Sequence, residues 1–164
     1  MSRDAEFTEF VVAATPRLRR LATLLAGDVD RGDDLLQEAL LKTYLRWSRI
    51  DHGAALAYTR RVMTTTNTDL WRRRRHEPET TRDGSPPETG YSDRYAALDR
   101  DEIVTELSRL SPRERTMVVL RYYTDLSEQA VAEELGVSVG TVKSTCSRAL
   151  ATMRARVSLE GDQS

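Results

Sequence analysis

The chain has 164 residues and a net charge of −1, with 31% charged and 39% apolar residues, which is typical of one ordinary globular domain or two small ones. Its longest stretch without a charged residue is far shorter than the roughly 20 apolar residues that span a bilayer, and its start lacks the apolar segment of a secretory signal. One cysteine and two histidines argue against a disulfide framework and a metal site, and no glycine-rich phosphate loop occurs. We therefore expect a small cytoplasmic protein that is not an enzyme and holds no metal or cofactor.

The first third of the sequence predicts two helices. Apolar residues recur at steps of three and four over Phe7–Leu25, which is typical of one face of an amphipathic helix. Pro16 is expected either to kink this helix or to mark its start, and Gly27 is expected to end it. Asp30 or Asp33 is expected to cap the second helix.

The second helix has an apolar side and an acidic side. Tyr44 and Trp47 follow the helical spacing of its apolar residues, which favours a place in the core over stacking on bases. Asp34, Gln37 and Glu38 are three and four residues apart and therefore share one stripe. This stripe lacks the partner base or metal set of a catalytic carboxylate pair. Two interpretations remain open, an ordinary solvated face or a docking face for a basic partner helix.

A third helix is predicted from about Ala54 to Arg75, and it is strongly basic, with a local net charge of +5. The run Thr64–Thr66 at its centre is a poor helix former, so tertiary contacts or a ligand must override this preference. Four arginines follow Trp71. These arginines either complement the helix dipole or form a surface that follows the phosphates of a nucleic acid. Trp71 beside them is suited equally well to a place in the core and to stacking on bases.

Residues 76–97 contain three prolines, two glycines and no apolar period, which is typical of a flexible linker. The sequence therefore predicts an all-α fold of two small helical domains joined by this linker. The first domain is expected at residues 1–75, the second at 98–157, and a short tail at 158–164.

The second domain is predicted to be a helix-turn-helix. Its first helix is expected near Leu98–Leu110, and the segment Ser111–Glu114 has the pattern of a capping box with proline at the first helical position. The segment Ser127–Leu150 then reads as a short helix, a turn at Gly136 and a longer helix. The lone cysteine, Cys146, falls on the apolar side of the longer helix and is expected to be a small core residue.

The outer face of the longer helix is suited to a DNA groove. No acidic residue lies between Val137 and Val157, and the local net charge is +4. Small hydroxyl groups and cations can bind phosphates and base edges without bulk. An ordinary helical pair with a polar outside is the alternative. The residues expected on this face are Thr141, Lys143, Ser144, Thr145, Ser147 and Arg148, and Ser138 is expected to cap the helix.

Two segments resemble bacterial sigma factors of the extracytoplasmic-function (ECF) subfamily. The segment Gly32–Leu40, with the sequence GDDLLQEAL and continuing to Trp47, resembles the region 2 helix that binds the RNA polymerase clamp. The segments Leu110–Glu128 and Gly136–Ser144, which include LSPRER and GVSVGTVKS, resemble region 4. The resemblance covers about Phe7–Arg156 except for the linker.

The resemblance implies a sigma factor that directs core RNA polymerase to promoters. Polymerase binding is then expected through Asp34, Gln37 and Glu38, and the helix-turn-helix is expected to read the minus-thirty-five element with Ser138, Thr141, Lys143, Ser144, Ser147 and Arg148. The third helix and the loop Ser48–Gly53 are expected to hold the minus-ten element as single-stranded DNA, with contacts from Arg60, Arg61, Thr65, Asn67, Trp71 and Arg72. Many members have asparagine where the alignment places Thr65, so either the register is shifted here or the upstream base is read differently.

The alternative function is a stand-alone helix-turn-helix transcription regulator. The segment Leu110–Ser144 also resembles the output domain of response-regulator-like activators, but such proteins usually carry an α/β or ligand-sensing domain first. The helical first half with its acidic stripe favours the sigma factor. Because the tail after Val157 is too short for a regulatory domain, control is expected from an anti-sigma factor or another regulator in trans.

Overall fold

A computed structural model of the chain describes residues 1–76 and 102–162. These residues form helices and their connections without a strand, which confirms the predicted all-α fold, and none of their helices is long and apolar enough to cross a membrane. Residues 77–97 of the predicted linker, and the start of the helix expected at Leu98–Leu110, lie outside the described residues. The helices are α1 (Arg3–Ala26), α2 (Val29–Leu45), α3 (Ala55–His76), α4 (Glu102–Ser108), α5 (Pro112–Val118), α6 (Glu128–Leu135) and α7 (Val139–Gly161).

Helix α1 begins earlier than the sequence pattern around Pro16 suggested. The side-chain oxygen of Ser2 accepts a hydrogen bond from the Ala5 amide and caps the helix. Pro16 lies inside α1, so the prediction that it marks a helix start is wrong, because the cap at Ser2 starts the helix before it. Gly27 ends α1 in the left-handed conformation, as predicted, with φ of +75°.

The cap of α2 is Asp28, and the prediction of Asp30 or Asp33 for this role is wrong. Asp28 follows the turn at the end of α1 directly, has an extended backbone, and accepts a hydrogen bond from the Arg31 amide through its carboxylate. Asp30 and Asp33 already lie within the helix. Asp33 instead binds Arg19 at 3.0 Å and so joins α2 to α1.

Tertiary contacts explain how α3 tolerates its threonine run. Thr64 and Thr66 are buried, and the Thr64 hydroxyl donates to a backbone carbonyl one turn earlier. The Lys42 ammonium on α2 donates to the Thr66 hydroxyl at 3.0 Å, and the hydroxyls of Thr43 and Thr59 are 3.1 Å apart. The polar groups of these threonines are therefore satisfied inside the α2–α3 contact, which offsets their weak helix propensity.

An aromatic cluster fixes the connection between α2 and α3. Trp47 is only 2% exposed, which confirms its predicted place in the core. Its ring meets the Phe7 ring edge-on at 5.1 Å and also packs on Phe10. The His52 ring stacks on the Trp47 ring at 4.3 Å, and Tyr44 lies beside Phe7. Such pairs contribute about 0.5–1.5 kcal/mol each beyond area burial, so this connection is anchored to α1.

The helix-turn-helix forms as predicted. The Ser111 hydroxyl accepts a hydrogen bond from the Glu114 amide at the start of α5, which is followed by a wider helical turn over Val119–Tyr123. Ser127 caps α6, and Gly136 ends it in the left-handed conformation with φ of +66°. Each of these positions depends on local backbone geometry, which the sequence signals identify directly.

The front helices (α1–α3, residues 1–76) and the rear helices (α4–α7, residues 102–162) pack against each other. The Arg115 guanidinium on α5 donates from Nε to the Leu25 carbonyl at the end of α1 at 2.9 Å. Unpaired carbonyls and the helix dipole make this end a suitable site for a cation. Burial, together with the positive charge of Arg31, lowers the pKa of Arg115 to about 10. One apolar cluster spans both sets and includes Leu21, Leu25, Leu107, Met117 and Val118.

Replacing Gly27 with alanine is expected to destabilise the protein more than replacing Gly136. Both glycines have positive φ, so each alanine should cost about 1 kcal/mol from backbone strain. A Cβ at Gly27 would also lie 2.9 Å from the Arg115 guanidinium, whereas a Cβ at Gly136 would meet nothing within 4 Å. We expect a loss of about 2 to 3 kcal/mol for Gly27→Ala in urea unfolding, since the buried Arg115 bond is disturbed as well. Equal losses for the two variants would contradict the close approach of Arg115.

Candidate nucleic-acid and partner interfaces

The outer face of α7 is solvent-accessible over most of the predicted residues. Val142, Cys146 and Ala149 are buried against the other rear helices, and burial raises the pKa of the Cys146 thiol. Thr145 is only 5% exposed, so its predicted place on the outer face is wrong: it lies three residues after Val142 and shares the buried arc. The residues that form the accessible face are Ser138, Thr141, Lys143, Ser144, Ser147 and Arg148, of which Thr141 is half-buried.

The α7 face combines a helix N-terminus with two positive side chains. The Ser138 hydroxyl accepts a hydrogen bond from the Thr141 amide and so caps the helix. Arg148 is held along the helix by its Nε bond to the Ser144 carbonyl at 3.3 Å. Lys143 lies 3.8 Å from the Glu128 carboxylate and remains 66% exposed. An exposed pair of this kind contributes little, so Lys143 can exchange Glu128 for another anion. Chemically, this face can bind phosphates and base edges.

Of the residues predicted to contact the minus-ten element, some are exposed on α3 and others are covered by neighbouring helices. Arg61, Thr65 and Arg72 are exposed on α3. Arg60 faces the rear helices, and Asn67 lies where α3 meets both α1 and the rear helices. The Arg60 side chain is 14% exposed and pairs with Glu134, while the Asn67 amide donates to the Leu25 carbonyl. Trp71 is half-buried and lines a cleft of about 180 Å³ between α3 and the rear helices, together with Asn67, Arg72, Pro112, Thr116 and Leu135.

A basic groove lies between α2 and α3 on the exposed side of this helix pair. It encloses about 560 Å³, and its walls carry three cations, a tyrosine and two threonine hydroxyls. Of these six polar residues, the sequence interpretation named only Arg61 and Thr65 as site residues and missed the other four, because they lie on other turns of the helices than the arginine clusters. Superposing the predicted faces of α2 and α3 could have found two of them, Lys42 and Tyr58. The polar groups that line the groove belong to Lys42, Arg46, Tyr58, Arg61, Thr65 and Thr66.

The acidic stripe of α2 is exposed and continues into apolar surface. Asp34, Gln37 and Glu38 are all accessible, and Glu38 pairs with Lys42 of the same helix at 3.2 Å. Leu41 and Leu45 are 58% and 66% exposed, one and two turns further along. The sequence interpretation missed these two leucines, although they continue the same four-residue spacing. The stripe is therefore an accessible surface on which acidic groups lie next to two exposed leucines.

Within residues 1–76 and 102–162, no group of three or more histidine, cysteine, aspartate or glutamate side chains is placed to hold a metal ion. Three surfaces are the candidate sites. One is the hydroxyl-rich and positive α7 face, one is the basic groove between α2 and α3, and one is the acidic and apolar stripe of α2.

Comparison with known families identifies the family of the chain. Residues 10–77 match the family described as sigma-70 region 2, and residues 100–153 match the family described as sigma-70, region 4. The chain belongs to the sigma-70 factors. Among its relatives is the RNA polymerase sigma-E factor of Streptomyces coelicolor, which is 42% identical over 94% of this chain and 87% of the relative. The ECF RNA polymerase sigma factor SigL of Mycobacterium tuberculosis is 30% identical over 84% of this chain and 80% of the relative.

Two solved structures share the fold. The sigma factor RpoE from Bartonella quintana, solved in complex with the anti-sigma factor NepR, superposes with a TM-score of 0.70 and 24% identity over 93% of this chain and 96% of that one. CnrH, solved in complex with the cytosolic domain of CnrY, gives a TM-score of 0.61 and 21% identity over 93% and 88%. The family matches and the relatives in the preceding paragraph show that the chain is an ECF sigma factor that directs RNA polymerase to promoters, and a stand-alone regulator is not favoured.

Proposed function

We propose that three surfaces of this sigma factor divide the work of initiation. The α2 stripe of Asp34, Gln37 and Glu38 binds core RNA polymerase. The basic groove and the α3 residues Arg60, Arg61, Thr65, Asn67, Trp71 and Arg72 hold the minus-ten strand. The α7 face binds the minus-thirty-five duplex. The first domain corresponds to residues 1–75 and the second to residues 98–157.

The observation that carries the proposal is the α7 face. An exposed helix in a helix-turn-helix is the element that enters a major groove in this class of protein. Its accessible side offers small hydroxyl groups with Lys143 and Arg148, and no acidic residue lies between Val137 and Val157 to repel phosphates. Small side chains allow the helix backbone to come close to base edges, so the face is suited to duplex DNA.

The front helices suit single-stranded DNA for a different reason. Lys42, Arg46 and Arg61 surround one groove, so a backbone of phosphates can follow it. In the sequence, the loop Ser48–Gly53 lies between the groove residues Arg46 and Tyr58. The His52 ring stacks on the Trp47 ring and holds this loop in place. A loop that is already rigid loses less entropy when it binds unstacked bases. The polymerase performs the chemistry, and this chain supplies promoter choice.

We further propose that the protein acts in the cytoplasm and is controlled by an anti-sigma factor. Two structural neighbours were solved with a partner, one with the anti-sigma factor NepR and the other with the cytosolic domain of CnrY. The acidic and apolar stripe of α2 and the cleft between front and rear helices are the surfaces on which such a partner could compete with polymerase.

The test is transcription in a purified system. Fragments upstream of the transcripts that appear when the protein is overproduced are mixed with core polymerase, with and without the protein. We expect run-off transcripts only when both proteins are present. A protein that shifts duplex DNA equally well without polymerase, and adds no transcript with it, would instead act as a stand-alone regulator.

A further inference from the structure

Helix α6 brings a carboxylate to the edge of the α7 face. The Glu128 Oε2 atom lies 3.8 Å from the Lys143 ammonium, and the Glu128 side chain is 34% exposed. Burial raises the pKa of the Cys146 thiol, about one turn beyond Lys143, and the charge of Glu128 acts in the same direction, which places Glu128 alongside α7. Helix α7 itself has no acidic residue between Val137 and Val157. An acidic side chain of α6 therefore lies beside a surface that is expected to bind DNA.

The start of α6 fixes the position of this carboxylate. The Ser127 hydroxyl accepts a hydrogen bond from the Ala130 amide at 3.1 Å and caps the helix, and Glu128 is the first helical residue. Val131, one turn further along, is fully buried. Glu128 is thus held by a rigid element, which positions a binding group more precisely than a loop does.

A carboxylate in a DNA interface needs a hydrogen-bond donor, because the phosphates repel it. When a phosphate binds the Lys143 ammonium, Glu128 loses its partner, and an exposed ion pair of this kind exchanges at little cost. An ionised carboxylate only accepts hydrogen bonds. In the major groove, the donors on the base edges are the amino groups of cytosine N4 and adenine N6, whereas guanine and thymine present acceptors.

We propose that Glu128 is a specificity-determining residue that selects cytosine or adenine at one position of the minus-thirty-five duplex. Its carboxylate accepts a hydrogen bond from the amino group of that base, while Lys143 binds a phosphate beside it. Guanine or thymine is rejected there, because an acceptor would face the carboxylate. The hydroxyl groups of α7 can donate or accept and so discriminate less. The inference rests on the proposed binding of the minus-thirty-five duplex by the α7 face.

The experiment compares Glu128→Gln with Glu133→Gln in the holoenzyme. Glu133 is exposed on the same helix, so both variants change the net charge equally, but its carboxylate binds Gln129 on α6. The probe is a labelled duplex that carries the upstream element, with each base pair replaced in turn by the other three, and fluorescence anisotropy gives the affinity. Wild type and Glu133→Gln are expected to lose about tenfold when guanine or thymine replaces the selected base, since a hydrogen bond to a charged group is lost. Glu128→Gln is expected to lose about twofold or less there, because an amide both donates and accepts.

A base analogue tests the contact itself. Purine in place of adenine, or 2-pyrimidinone in place of cytosine, lacks only the amino group. At the selected position, this analogue is expected to weaken binding by wild type about tenfold and to leave binding by Glu128→Ala unchanged, because the hydrogen bond is already absent in that variant. Lys143→Ala is expected to keep the selectivity at this position although it binds more weakly, since Glu128 meets the base directly.

Three results would each overturn the inference. One is equal selectivity of Glu128→Gln and Glu133→Gln at every position of the element. Another is an analogue that weakens Glu128→Ala as much as wild type. The third is loss of selectivity in Lys143→Ala to the same extent as in Glu128→Gln, because Glu128 would then act only by positioning Lys143. Circular dichroism checks that the variants are folded. Failure of the proposed function would appear separately, as wild-type holoenzyme that binds the upstream duplex no better than an unrelated duplex.

Discussion

Replacing Asp34 and Glu38 together with arginine is expected to abolish binding to core RNA polymerase while the protein stays folded. Both side chains are exposed on α2, and neither is part of the apolar core. The change turns an acidic docking stripe positive, so a basic partner surface would be repelled where it was attracted. Like charges placed opposite one another at an interface cost several kcal/mol, enough to weaken binding more than a hundredfold. Co-purification with tagged core polymerase measures the effect directly.

The control for this variant carries the same change in charge elsewhere. Glu9 on α1 and Asp162 at the end of the described chain are both exposed and lie outside the proposed docking stripe. Glu9→Arg with Asp162→Arg should therefore co-purify with polymerase as wild type does. Circular dichroism and urea unfolding check that both double variants are folded. Normal co-purification of the variant Asp34→Arg with Glu38→Arg would reject the stripe as the docking surface. The stripe would then be an ordinary solvated face.

The elements that the sequence predicted well are those set by local backbone chemistry. Gly27 and Gly136 end helices because an L side chain is strained at positive φ, and Ser111 starts a helix because its hydroxyl satisfies a free amide. These signals act over three or four residues. The accessible α7 face was predictable for the same reason, since helical period alone separates Val142 from Lys143.

Two local predictions failed where residue type was given more weight than position. Thr145 was expected outside because it is polar, but its spacing from Val142 places it on the buried arc. Asp30 and Asp33 were expected as caps because they precede the apolar stripe, but Asp28 meets the end of α1 first. In both cases, spacing from a neighbouring residue decided the outcome.

The contacts between front and rear helices could not be predicted from the sequence. Arg115 and Leu25 are 90 residues apart, and Arg60 and Glu134 are 74 residues apart. Neither pair has a local signal, because each depends on how two sets of helices pack. The sequence therefore predicted a positive α3, but the structure was needed to find that one of its arginines is already paired with the helix-turn-helix.

Replacing Lys143 and Arg148 together with alanine is expected to weaken binding of the upstream duplex about a hundredfold. Both side chains are exposed on the α7 face, and hydrogen bonds to charged groups contribute roughly 1.5 kcal/mol or more each. Loss of two phosphate contacts should also reduce the slope of log affinity against log salt by about 2. Fluorescence anisotropy with holoenzyme and a duplex carrying the upstream element, repeated at several salt concentrations, measures both quantities.

The matched control for the α7 face removes two other exposed arginines. Arg17 lies on α1, and Arg154 lies nearly two turns beyond Arg148, the last of the predicted DNA-facing residues of α7. Arg17→Ala with Arg154→Ala lowers the net charge by the same amount, so it accounts for long-range attraction to DNA. We expect this control to keep most of the affinity and most of the salt slope. If the two double variants weaken binding equally, the α7 face provides only general positive charge. A larger loss with Lys143→Ala and Arg148→Ala, and a flatter salt dependence, would place two phosphates of the duplex directly against α7.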